Sequence, residues 1–324
     1  MPIVEPAPWR HQYFADVPCP DDVFIPADDP EAWAWNPAHR WVFDKLQLAL
    51  SQGLDAGPHG LMPKRFPVFS KPIFNFGGLG AGSRILATSA EYRQHSTPGH
   101  MWMPLMAGPH ISTDMAVIDG RVEWIRHATG RPIGDGMFDY WTVHAARLAG
   151  LDDQLRAWVA DKLPGYTGML NVETIGGTII DAHLRFADQW PDLYGAEWVE
   201  ALIGLYRDRA WKFSDTDRRD GYSIALFFPH GRRYAHPPAA VIAEASTMPG
   251  VSSVQTTFYE DRAPSAHAMP PGGFRVALVN AWDIAGGQAA RAFLRDWFER
   301  DGGHGSWPLH KTIISQQRDG HHGS

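Results

Sequence analysis

Cysteine is nearly absent: the 324-residue chain has one, Cys19. No intrachain disulfide can form, a cysteine-built zinc site is excluded, and the usage fits a reducing cytoplasm. Cys19 lies in a Pro-rich stretch with no basic neighbour to favour its thiolate, so it is not read as a nucleophile. No window holds eighteen consecutive apolar residues, which argues against a membrane span. The opening stretch MPIVEPAPWRHQYFADVP has no apolar core of signal-peptide length. Basic excess is missing too: 29 Lys and Arg against 36 Asp and Glu leave a net charge of −7, which argues against a nucleic-acid partner. There is no internal repeat, no GxxxxGK[ST] phosphate loop, and no GxGxxG opening a helix.

What remains is an ordinary globular balance, 44% apolar and 20% charged, long enough for a large core and about two domains. Fourteen tryptophans are read as core and lobe-packing residues. Residues 1–36 are weakly periodic, with one short strand at Val23–Ile25. A helix is predicted over 40–52, with Gly53 as its C-cap. Strands follow at 67–72, 84–88, 101–106, 112–118 and 121–125, with Asp119-Gly120 as a hairpin turn. Gly136–Trp141 reads as a packed helix start, with an aromatic substrate wall as the alternative. A helix over 152–163 is capped by Asp152 or Asp153. Strands 169–175 and 178–184 are joined at Gly176-Gly177, and a helix spans 196–211. Strands 222–228, 253–258 and 274–280 and a helix over 285–300 complete the pattern, with a Gly-, His- and Ser-rich tail from Asp301. Clustered strands with separate helices read as α+β.

Two motifs carry chemistry. In the first, Lys71 ends a strand just before the glycine turn Asn75–Ser83. Turn amides and an ammonium together can hold nucleotide phosphates; the alternative is a glycine-rich hairpin beside a surface lysine. In the second, Asn171 and Glu173 share one strand face, and Asp181, His183 and Arg185 share a face of the next. The turn between them can lay the two faces side by side. Carboxylates suit Mg²⁺, and arginine suits a phosphate or a developing oxyanion. The alternative is a solvated hairpin of ion pairs. Arg126 and His127 read as exposed strand-end residues, Arg218 and Arg219 as solvated, and Arg275 as either a strand opener or a substrate-facing cation. His321-His322 lies in the tail and is not read as a metal site.

The order of these pieces resembles the ATP-grasp superfamily. Asp44-Lys45 opens a helix, and Lys71-Pro72 precedes Gly77-Gly78-Leu79-Gly80-Ala81-Gly82. Met103-Pro104-Leu105-Met106 stands where that family has its adenine hinge, followed by Gly108-Pro109-His110-Ile111-Ser112-Thr113-Asp114. Asn171-Val172-Glu173 and Asp181-Ala182-His183-Leu184-Arg185 stand for the metal-binding strands. The resemblance covers about residues 40–200, and Tyr222 to about Phe298 looks like the small C-terminal subdomain of biotin carboxylase. It implies an ATP-grasp α+β fold with a reduced N-terminal segment (1–39), nucleotide-binding lobes (40–211), a C-terminal subdomain (212–300) and a flexible tail (301–324).

The implied activity is a cytoplasmic, ATP-dependent ligase that activates a carboxylate as an acyl-phosphate and joins it to an amine. A phosphotransferase and an inactive ATP-binding module are the alternatives. The implied cofactors are ATP and Mg²⁺, with Mn²⁺ as the variant. The implied partners are small-molecule acids and amines, and a homodimer is one implied assembly. Carried over by position, Lys45 and Lys71 contact ATP, and Gly77, Gly78, Gly80 and Gly82 form a lid. Met103 and Met106 meet the adenine edge, and His110 reaches the ribose. Glu173, Asp181 and His183 hold the metal, and Arg185 acts with Lys71 in catalysis. Three departures stand out: Asp181 replaces a Glu, His183 replaces an Asn, and Pro104 has no N–H to offer.

Overall fold

A computed structural model describes residues 3–302; His321-His322 and nearly all of the expected tail lie outside them. In chain order the strands are β1 (Ile3–Val4), β2 (Ile25–Pro26), β3 (Gly57–Pro58), β4 (Val68–Pro72), β5 (Arg84–Leu86), β6 (His100–Pro104) and β7 (His110–Ile118). They continue as β8 (Arg121–Gly134), β9 (Met137–Val143), β10 (Gly168–Ile175), β11 (Thr178–His183), β12 (Gly221–Phe228), β13 (Val251–Thr256) and β14 (Phe274–Ala281). The helices are α1 (Asp29–Trp35), α2 (Lys45–Ser51), α3 (Ser89–Gln94), α4 (Ala149–Lys162), α5 (Trp198–Asp208), α6 (Ala239–Ser246) and α7 (Ile284–Trp297). None of the described helices is long and apolar enough to cross a membrane.

The large sheet has eight strands in the order β11-β10-β7-β8-β9-β12-β14-β13. Every neighbouring pair in it is antiparallel. Its centre is buried on both faces, because successive side chains on a strand point opposite ways. Met169 and Trp124 enter one apolar cluster, while their chain neighbours Leu170 and Ile125 enter another. Helix α5 covers the first face with Trp198 and Leu202, and α4 covers the second with Leu155 and Val159. Trp198 is fully buried; truncating such a residue to Ala costs about 3–5 kcal/mol. Helix α7 lies against β12 and β14, close enough that a Cβ on Gly287 would stand 2.4 Å from Ile224 Cδ1.

The small sheet runs β3-β6-β4-β5 and carries the glycine loop between β4 and β5. Helix α2 joins the two sheets. Asp44 caps it by accepting from Gln47 N (2.9 Å). At its other end the Gln52 side chain donates to Ile179 O and accepts from Ile179 N, which covers the exposed edge of β11.

Several expectations need correction. Gly136–Trp141 is not a helix start; Met137–Val143 is a strand, paired to β8 and β12. Asp152 is not a cap: Leu148 holds that position, and Asp152 is buried with His127 (2.5 Å) and Arg147 (2.8 Å). Arg126 and His127 are buried rather than exposed. Arg126 pairs with Asp215 (2.9 Å), and His127 also meets Thr113 Oγ1 (2.9 Å). Arg218 is not free in solvent either: it binds Asp215 (2.7 Å) and Ile125 O (3.1 Å). Arg219 lies over the Trp282 ring. Helices α1, α3 and α6 were not foreseen.

Candidate active site

The turn Gly176-Gly177 fixes the site. Both glycines have positive φ (58° and 84°), and a Cβ on Gly176 would stand 2.3 Å from Ala107 O. The turn folds β11 onto β10 in a register that sets Glu173 opposite Asp181 and Asn171 opposite His183. Polar side chains two apart on each strand therefore form one patch. That patch faces the small sheet across a cavity of about 580 Å³, lined also by Lys45, Lys71, Met103, Met106, His110 and Arg185.

Lys71 crosses the gap, donating from Nζ to Ile180 O (2.6 Å). Lys45, at the first turn of α2, forms an ion pair with Asp181. Burial pulls the Lys71 pKa down to about 8, and Lys45 adds to the shift, while Asp181 and Glu173 oppose it. Asp181 shows the reverse balance: burial raises its pKa, but Lys45, His183 and Lys71 outweigh burial and hold it at about 2.

Glu173 hydrogen-bonds His110 Nε2 (3.0 Å). Burial acts to raise its pKa, but the imidazole outweighs that and lowers it. His110 is thus bound to a carboxylate at the cavity wall, a contact that was not foreseen. His183 and Arg185 share Asp29. His183 Nδ1 lies 3.0 Å from both Asp29 oxygens, and Arg185 Nε donates to Asp29 Oδ1 (2.6 Å). Burial would raise the Asp29 pKa, yet Arg185 first, and His183 after it, drive it well below the usual carboxylate range. Arg185 is shifted upward in turn: burial lowers its pKa, and Asp29 overrides burial.

The glycine loop between β4 and β5 borders the same cavity. Gly77, Gly78 and Gly80 line the cavity, whereas Gly82 packs on Pro72 and His100, where a Cβ would be 3.2 Å from Pro72 Cγ. Asn75 braces the loop, accepting from Gly77 N (3.1 Å) and donating to Gly78 O (3.1 Å). Across the cavity mouth, the tip at Leu79 meets the β8–β9 turn at Gly136.

Among the described residues, no group of three or more His, Cys, Asp or Glu forms a ready metal cluster. Glu173 and Asp181 nevertheless fit a hard divalent cation, being paired carboxylates on one cavity wall. His183 is a weaker candidate: its Nδ1 is committed to Asp29, and its Nε2 stands 3.8 Å from Asp181 Oδ1. Imidazole favours Mn²⁺ or Zn²⁺ over Mg²⁺.

Sequence reasoning missed Asp29, Arg10 and Asp188 as lining residues. Only Asp29 had a local signal: Asp28-Asp29-Pro30 is a helix-start pattern, and Asp28 does accept from Asp29 N (2.9 Å).

No protein-family model and no curated protein sequence matches this chain. Solved structures do. The L-amino acid ligase of Bacillus licheniformis superposes with a TM-score of 0.61 at 14% identity, over 89% of this chain and 82% of that one. The phosphoribosylamine–glycine ligase of Thermotoga maritima gives 0.59 at 12% identity, over 88% and 85%. The biotin carboxylase domain dimer of the Hydrogenobacter thermophilus 2-oxoglutarate carboxylase, in complex with MgADP, ADP and bicarbonate, gives 0.54 at 13% identity, over 91% and 73%. With this eight-stranded antiparallel sheet, a small sheet bearing the glycine loop and these neighbours, the chain has the fold of the ATP-grasp superfamily.

Proposed function

We propose that the protein is an ATP-dependent ligase that activates a carboxylate as an acyl-phosphate and passes the acyl group to an amine. One observation carries this reading: Lys45, Lys71, Glu173, Asp181 and Arg185 line a single cavity under the glycine lid. That set can neutralise a triphosphate and steady a transferring phosphoryl group. Glu173 and Asp181 would hold Mg²⁺, which would draw charge from the phosphate oxygens. The ligases among the structural neighbours are consistent with this chemistry.

The first step joins a carboxylate oxygen to the γ-phosphorus. The bond from that phosphorus to the bridging oxygen breaks, and ADP leaves with the electron pair. In the second step the amine nitrogen attacks the acyl carbon, phosphate leaves with the C–O pair, and the nitrogen gives up a proton. Lys71 and Lys45 position the phosphates, and Arg185, held by Asp29, faces the developing charge. The closed lid keeps water from the acyl-phosphate.

A second reading, nucleotide binding without turnover, is favoured by the ion pair that Lys45 makes with Asp181, which engages a metal-binding carboxylate. One experiment separates the readings. The protein is incubated with Mg-ATP and a panel of acids and amines, and both ADP and acyl product are measured by mass spectrometry. ADP release that needs an acid and an amine, with a joined product, is the expected result. A stable phosphorylated product would make it a phosphotransferase, and binding of ATP with no ADP from any pair would make it a non-catalytic module.

A further inference from the structure

Three arginines line the cavity: Arg10, Arg185 and Arg275. Two have carboxylate partners, Arg10 with Asp188 and Arg185 with Asp29. Arg275 has no ion pair among the described residues, and its Nε is buried without a hydrogen-bond partner. The backbone places it firmly. Arg275 N donates to Met269 Sδ (3.2 Å), its carbonyl accepts from Thr257 Oγ1 (2.8 Å), and it pairs in register with Phe227.

The electrostatic surroundings repeat the point. Burial pulls the Arg275 pKa down to about 9, and the neighbouring charge that adds to this is another cation, Arg10. A guanidinium with its Nε buried and unpaired, beside a second cation, is costly unless an anion completes the set. Arg275 stands on β14, five strand pairings along the sheet from β10, which carries Glu173, so an anion at Arg275 is apart from the phosphates that the ligase reading puts beside Glu173, Asp181 and Lys71. Around Arg275 the wall is apolar, with Ala225, Phe227 and Leu278.

We propose that Arg275, with Arg10 beside it, seats an anionic group that the substrate carries apart from its reacting carboxyl: a carboxylate or a phosphate on an apolar body. The planar guanidinium suits either, since both accept two parallel N–H bonds. The N-terminal segment thereby supplies, through Arg10, part of the substrate end of the site. Calling this group part of a substrate rests on the ligase reading; the anion seat itself does not.

The test is calorimetry on the full chain, with succinate, methylphosphonate and acetate as anion probes and choline as the cation control. Titrations are run in the absence and presence of the magnesium complex of β,γ-imido-ATP. The wild type is expected to bind at least one of the anions and not choline. Arg275→Gln should weaken that binding at least about tenfold, the size of one lost charge-assisted pair. Arg275→Lys should recover part of it, and circular dichroism should match the wild type throughout. Nucleotide affinity should stay within about twofold, because Arg275 stands five strand pairings from the strand of Glu173. Anion binding that is equal in Arg275→Gln, or absent from the wild type, overturns the proposal. Anion binding lost in the variant without any nucleotide binding in either protein would remove the ligase reading and leave the seat standing.

Discussion

Asp29, at the start of a short N-terminal helix, holds Arg185 from 156 residues away, with Nε and Oδ1 2.6 Å apart. The same carboxylate orients His183. It is buried, so removing it strands a guanidinium and an imidazole in the wall of the cavity. Asp29→Ala is expected to cost about 3–5 kcal/mol, the usual penalty for breaking a buried pair, read from the denaturant midpoint. The pH sign follows from the depressed pKa of Asp29 in the folded state. Its contribution is complete above the unfolded value of about 3.9 and is lost as acid carries the protein down toward the folded value. Stability should therefore fall below about pH 4 in the wild type, with a shallower fall in Asp29→Asn. Equal slopes in the two proteins would show that Asp29 does not bear this linkage.

Lys71 makes a different forecast. With a pKa of about 8 in the free protein, it loses its charge in mildly alkaline buffer. Nucleotide affinity should be level in neutral buffer and weaken as pH rises past about 8, by up to about tenfold per unit where the ammonium is the titrating contact. Fluorescence titration of wild type against Lys71→Gln would reveal it: the variant should bind more weakly and show no such alkaline drop. A drop that persists in the variant would assign the titration to another group.

Arg185→Ala should lower kcat by about 10²-fold or more, by analogy with lost oxyanion donors. The dissociation constant for the magnesium complex of β,γ-imido-ATP should move far less, since the two lysines stay in place. Single-turnover ADP formation is the measurement, and full turnover in the variant would strip Arg185 of its role.

Gly136 tests the lid. It has φ +77°, and a Cβ there would be 3.2 Å from Leu79 O and from Pro271 Cδ. Gly136→Ala forces an L side chain into the left-handed region, at about 1–2 kcal/mol, and presses on the loop tip. Water should then reach the acyl-phosphate, so that more ADP forms for each molecule of joined product. An unchanged ratio would mean that this contact does not keep the lid down.

How far these features were legible depends on whether their cause is local. The strands bearing Glu173 and Asp181 could be read because alternation and a Gly-Gly turn are written in neighbouring residues. Asp44 as the cap of α2 was not read: the helix was expected from residue 40, whereas a separate 3₁₀ turn over Arg40–Phe43 precedes it and the α-helix begins at Lys45. Met137–Val143 was misread because five of its seven residues are apolar or aromatic and show no alternation; its pairing with β8 and β12 decides its state. Asp152 looked like a cap because it stands near a helix start, yet its charge is taken by His127 on a distant strand. The contact of Asp29 with Arg185 leaves no local trace, since neither residue's surroundings mention the other. The continuity of β12, β13 and β14 with the strands of Glu173 and Asp181 was hidden for the same reason: the charged stretch 212–220 reads as a connector whichever sheet it leads to.

Five strand pairings separate β10, which carries Glu173, from β14, which carries Arg275. Each pairing is a hydrogen-bonded step of about 4.8 Å that cannot stretch. The sheet therefore works as a ruler, holding the Glu173 end and the Arg275 end at a set interval, and a guest molecule that touched both would be gauged by its reach as much as by its charge.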